Sequence, residues 1–194
     1  TAIGNSALAS NVSTYYNVGI GYEAGALHTS GSIIAMGYKA LAANTIGTLN
    51  VAIGTSSMVS NTTGSRNTAI GSESLRDNTI GAYNVALGSL SLRLNTTGDS
   101  NVAIGDGSLS ANTTGRRNVG LGAFTLLNNT IGAYNVSISP SSLQYNTTGN
   151  FNVGIGYASL QNNTIGSNNL GIGYNTLNAN VTGERNIALG VSSL

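Results

Sequence analysis

Cysteine and tryptophan are absent from this chain, and proline (Pro140) and histidine (His28) each occur once. Without cysteine there are no disulfide staples and no thiolate-held zinc, and the redox character of the compartment stays open. A lone histidine has no partner for a metal or nucleophile site built on imidazole. One proline excludes collagen and proline-rich linkers. Charged residues are 7% of the chain, where about a quarter is usual. The net charge of +1 lacks the basic excess of a phosphate-backbone binder, so no nucleic-acid partner is expected. No stretch approaches a helical membrane span in length, so no membrane insertion by this segment is expected, and no signal peptide is visible.

Glycine is abundant and periodic. It recurs every seventeen residues at Gly4, Gly21, Gly37 and onward to Gly190; the Gly21–Gly37 interval alone is sixteen, and Ser139 replaces one glycine. About twelve copies of one short unit fill the chain, which predicts a stack of coils. Both ends fall in mid-unit, at Thr1 and Leu194, which predicts a single repeat domain over 1–194, a fragment of a longer fibrous chain.

Each unit opens on a segment such as Asn101-Val-Ala-Ile-Gly105, where two large apolar residues flank a small one with the period-two pattern of a strand. Four residues past the glycine stands an apolar residue, usually leucine, as at Leu75 and Leu109. A turn follows, Asn-Thr-Thr/Ile-Gly, as at Asn61 to Gly64, where asparagine and glycine suit positive φ. With all three large aliphatics counted as core, one unit still buries too little to offset the ordering of its backbone. Each coil must therefore stack on its neighbours. Seventeen residues suit one turn of a parallel β-solenoid and are too few for two helices, so the fold class expected is all-β, a rod roughly 55 Å long at about 4.8 Å per coil. The charges and most tyrosines fall on variable positions, which marks these as outward corners.

The Asn-Val-Ala-Ile-Gly segments at 50–54 and 101–105 resemble the head repeats of YadA-like trimeric autotransporter adhesins, and are equally similar to repeats in bacteriophage tail-fibre shafts. That resemblance implies a left-handed coil and three chains packed side by side. The small residue between the two large ones fits this by permitting close approach of another chain; a narrow coil interior would require it equally.

Candidate sites are few. His28 stands where an asparagine occupies the equivalent turn positions, which reads as a tolerated substitution in the least regular stretch of the chain. Glu73 and Asp77 are the closest carboxylates; they flank Leu75 and are expected on opposite sides of a short strand, whereas glycoside hydrolysis needs a facing pair. No enzyme activity is therefore expected, with tailspike-like hydrolysis as a remote alternative. Gly154-Ile-Gly156 and Gly171-Ile-Gly173 lack the helix and lysine of a phosphate cradle, so no cofactor is expected. Sequons at Asn61, Asn95, Asn112 and Asn146 read as an amide ladder along the stack in place of glycan sites. A threonine file running from Thr29 through Thr45 and Thr62 to Thr164 raises ice binding as an alternative. Exposed tyrosines Tyr22, Tyr38, Tyr157 and Tyr174 are candidate surface contacts for a cell-surface glycan or protein receptor, or covers for apolar edges. Together these predict a structural fibre or adhesin shaft, extracellular, on a cell surface or on a virion. It forms a homo-oligomer, a trimer by the resemblance, or an end-to-end filament.

Overall fold

The structure, a computed structural model, describes residues 1–12 and 16–194. Its strands are β1 (Ala2–Ile3), β2 (Val18–Ile20), β3 (Ile33–Met36), β4 (Asn50–Ile53), β5 (Thr68–Ile70), β6 (Val85–Leu87), β7 (Val102–Ile104), β8 (Val119–Leu121), β9 (Val136–Ile138), β10 (Val153–Ile155), β11 (Leu170–Ile172) and β12 (Ile187–Leu189). They form one parallel sheet in chain order, so twelve strands bound eleven turns of a β-solenoid. Like residues lie over like: Val85, Val102 and Val119 pair in register, as do Leu87, Ile104 and Leu121.

Alternation within the strand runs opposite to the expected core. The small middle residue points inward, and Ala52, Ala69, Ala86 and Ala103 are fully buried. The large residues on either side point out, with Ile70, Ile104 and Ile172 about 40% exposed (41%, 39% and 38%). The interior has no room for them: a Cβ added at Gly120 would lie 2.5 Å from Ser108 Oγ and 2.8 Å from Thr125 Oγ1. The narrow interior therefore explains the small residue, and one large side chain per coil fills the core: Leu41, Met58, Leu75, Leu92, Leu109, Leu126, Leu143 or Leu160.

Backbone geometry also departs from the expected turn. The turn glycines from Gly47 to Gly183 are absent from the left-handed region, with Gly31 of the irregular coil (φ 85°) the exception, and that region is occupied by residues with side chains: Leu75 (φ 50°), Glu73 (φ 52°) and Arg66 (φ 60°), with equivalents in most coils. Glycine is required at Gly64 by close approach, because a Cβ there would meet the Gly81 carbonyl and Asn61 Oδ1. The turn asparagine is required by its amide. Asn78, Asn95, Asn112 and Asn129 are fully buried, and each donates through Nδ2 to Oδ1 of the asparagine one coil before and to the glycine carbonyl three residues on. A second ladder runs through the residue before each strand: Asn67, Asn84, Asn101 and Asn118 donate to the preceding asparagine's Oδ1 at 3.2–3.3 Å. Buried amides in such a narrow interior are tolerable because their donors and acceptors are matched.

The sixteen-residue coil interrupts both ladders at once. His28 takes the turn position and Ile33 takes the position before the strand, pairing with Asn50. Asn17 Oδ1 then accepts from the Ile33 amide at 2.9 Å with no side-chain donor beside it among the described residues, and Asn17 Nδ2 is also buried with no partner there.

Candidate surface-contact sites

The coil has three outward sides: the strand, the leucine-bearing segment after it, and the turn with the corner that leads into the next strand. The four candidate tyrosines share one file, directly after the strand glycine. Tyr22 and Tyr38 stack with ring centroids 5.4 Å apart and planes 13° apart, and Tyr157 and Tyr174 stack at 5.7 Å and 13°. All four are about half exposed (45–56%). Stacking along the rod turns the ring edges and hydroxyls outward, so each pair offers hydrogen-bonding tips beside an apolar edge. At the first pair, Lys39 Nζ lies 3.5 Å from Glu23 and 5.5 Å from the Tyr38 centroid. Glu23 raises both the Tyr22 phenol, as its hydrogen-bond acceptor, and the Lys39 ammonium, through its charge.

His28 is an isostere of the asparagine it replaces. With the proton on Nε2, the ring donates to the Gly31 carbonyl (3.2 Å) and accepts at Nδ1 from Asn44 Nδ2 (2.8 Å), two of the three contacts a ladder amide makes, without the donation to the preceding coil. Burial pushes its pKa below the ordinary 6.5, outweighing the Gly31 and Thr45 carbonyls that pull it up. Protonation would set an Nδ1–H against the Asn44 amide donor. The unfolded chain takes up this proton near pH 6.5 and the folded chain only at lower pH. The stability contribution is therefore full above 6.5 and declines as pH falls toward the folded value. Melting midpoints are expected to drop between about pH 7 and about pH 5.5, a range in which the carboxylates do not titrate. In His28→Asn the midpoint should stay level over that interval; an equal drop there would place its cause elsewhere.

Glu73 and Asp77 lie on the same side of the coil, contrary to expectation, because Leu75 between them adopts a left-handed turn in place of a strand. Arg76 joins them, donating to Glu73 Oε2 at 2.8 Å and to both Asp77 oxygens at 2.8 and 2.9 Å, with Asp77 foremost in holding its guanidinium charged. Two open depressions of about 460 Å³ near the N-terminal coils hold one carboxylate, Glu23, between them. Among the described residues no cluster of His, Cys, Asp and Glu is placed to hold a metal. Sequon residues Asn61, Asn95, Asn112 and Asn146 are fully buried within the amide ladder. Along the threonine file each hydroxyl donates to the next coil's carbonyl, as from Thr62 to Thr79 at 3.0 Å and from Thr113 to Thr130 at 3.0 Å.

A second aromatic file runs along the corner before the strand. There Arg66 lies over Tyr83 and Arg117 over Tyr134, which stacks on Phe151 at 4.9 Å and 11°. The seventeen-residue spacing of these residues carried the signal, once arginine and aromatic residues are placed in one file. No family model matches this sequence, and neither a curated protein nor a solved structure matches it.

Proposed function

We propose that this chain is a non-enzymatic structural rod, a segment of an extracellular, cell-surface or virion-borne fibre or adhesin shaft. Three copies pack side by side through the strand side and hold binding parts at a distance. The observation that carries this reading is the composition of that side. Among the outward residues of β2 to β12, Thr68 alone is polar and none is charged. The strip runs from β2 to β12, about 48 Å at about 4.8 Å per strand spacing. A continuous apolar strip of that length is what an association surface provides and what an isolated soluble chain rarely exposes. A lateral contact between copies covers it; end-to-end joining leaves it exposed. Ice binding has less support, because the hydroxyls of the threonine file are spent on coil-to-coil bonds.

Light scattering on the purified chain is expected to give three times the monomer mass. Val102→Lys/Ile104→Lys, at the middle of the strip and outside the core, should give a folded monomer with the β-sheet circular dichroism of the parent. A monomeric parent, or a variant that remains trimeric, would overturn the reading.

A further inference from the structure

We infer that the corner before the strand binds a linear acidic polysaccharide, with Arg66 and Arg117 as two matched clamps for its carboxylate or sulfate groups. Both arginines are exposed and built alike. Arg66 Cζ lies 5.2 Å from the Tyr83 centroid and Nη1 donates to Tyr83 Oη at 2.7 Å. Arg117 repeats this on Tyr134 at 5.4 Å and 3.0 Å. Each guanidinium is held at its ring through Nη1, and its remaining N–H groups have no hydrogen-bond partner among the described residues, which leaves a fork free to bind. That geometry fits a planar carboxylate or the oxygens of a sulfate, and little freedom is left to lose on binding.

Neither arginine has a carboxylate within ion-pair distance among the described residues, whereas Arg76, on the leucine-bearing side, is paired twice. The turn side carries Arg66, Arg116, Arg117 and Arg185 against Asp99 and Glu184. Asp99 is engaged, accepting from the Ala82 amide at 2.7 Å. Beside the two clamps stand Ile80 and Ile131, 56% and 55% exposed, and Phe151, 55% exposed, ends the Arg117–Tyr134–Phe151 stack. Along the rod Ile80 falls between the two clamps, and Ile131 and Phe151 fall beyond Arg117, giving apolar surface for the C–H faces of sugar rings next to the charges.

The spacing selects the polymer. Arg66 and Arg117 are three coils apart, about 14 Å at about 4.8 Å per coil. A nucleic-acid strand would bring a phosphate about every 3.4 Å, setting unpaired charges over Asp99. A polysaccharide whose acidic groups are separated by neutral sugar units matches two clamps with no cation in the coils between them on this side. This side is distinct from the apolar strand side, so the inference does not rest on trimer formation.

Titration calorimetry of the full chain with hyaluronate and with κ-carrageenan, whose carboxylates or sulfates alternate with neutral sugars, should show binding to at least one, weakening as salt rises, with none to neutral dextran. Arg66→Gln/Arg117→Gln should lower that affinity at least tenfold, with the melting midpoint and oligomeric mass of the parent. Arg66→Lys/Arg117→Lys, which keeps the charges and loses the forks, should fall between, and Arg76→Gln should bind as the parent does. Three outcomes would overturn the proposal: no binding by the parent, an unchanged affinity in the double glutamine variant, or equal affinity for polyglutamate or single-stranded DNA.

Discussion

Gly105→Ala is expected to destabilise the rod by at least about 4 kcal/mol, lowering its melting midpoint by roughly 10 °C or more. Gly105 sits at φ +127°, where a side chain is strained, and the added Cβ would lie 2.6 Å from both C and O of Gly122. Those atoms are backbone and cannot rotate away. The next coil would have to retreat, stretching the Gly122–Ile104 and Phe124–Asp106 amide bonds, 2.8 and 2.9 Å, and the asparagine ladders that cross the same gap. Ser139 shows what accommodation looks like. It holds the glycine position at φ +91°, and a Cβ at Gly122 beneath it would meet Ser139 C at 2.9 Å, looser than the contact at Gly105. Ser139→Gly should therefore move the midpoint upward, by about 1 kcal/mol of relieved strain. Thermal unfolding followed by circular dichroism compares both with the parent, and a Gly105→Ala melt superimposable on it would show that the coils have slack.

The period, the parallel register and the absence of helix were legible because one residue type recurs in one place through the whole chain. Which way each residue points was less legible. Alternation reveals that Ala103 opposes Val102 and Ile104, and hydrophobicity alone then assigns the larger pair to the core. That assignment assumes a wide interior. Here one leucine, a hydroxyl and two amides already occupy the space, so size outweighs hydrophobicity and the aliphatics go outside. The left-handed leucines were hidden for a related reason: glycine is the ordinary marker of positive φ, and a coil pinned by neighbours on both sides can hold Leu109 at φ 53° instead.

Surface features were legible where they repeat at one period and hidden where they depend on neighbours of different type. Tyr157 over Tyr174 follows from spacing alone. Arg66 over Tyr83 requires pairing unlike residues across coils, and Arg76 between Glu73 and Asp77 requires the local turn. His28 was recognised as a replaced asparagine. Its role as an amide substitute needed the positions of Gly31 and Asn44, because a ring with one donor and one acceptor is informative only where both are used.

Asn112→Leu is expected to lower stability by roughly 2–6 kcal/mol, taking about 1–3 kcal/mol for each of the two buried groups left without a partner. Asn112 Nδ2 donates to Asn95 Oδ1 at 2.8 Å and to the Gly115 carbonyl at 2.9 Å, and its Oδ1 accepts from Asn129 Nδ2 at 2.9 Å. Leucine keeps the branched shape but its methyl groups cannot approach oxygen as closely as the amide does, and Asn95 Oδ1 and one Asn129 N–H lose their partners in a buried site, while the Gly115 carbonyl keeps Asn101 Nδ2 at 2.8 Å. Asn112→Asp separates hydrogen bonding from shape. An ionised carboxylate there would still accept from Asn129 but would face two acceptors, so its folded pKa should rise above the ordinary value of about 3.9. The ionised form is the strained one, so the Asp variant gains stability as pH falls through that raised pKa toward the unfolded value. Measured against the parent at each pH, melts at neutral and mildly acidic pH should show Leu weakened by the same amount at both and Asp recovering in acid. If leucine melts with the parent, the ladders contribute no net stability, and the backbone bonds between coils hold the stack unaided.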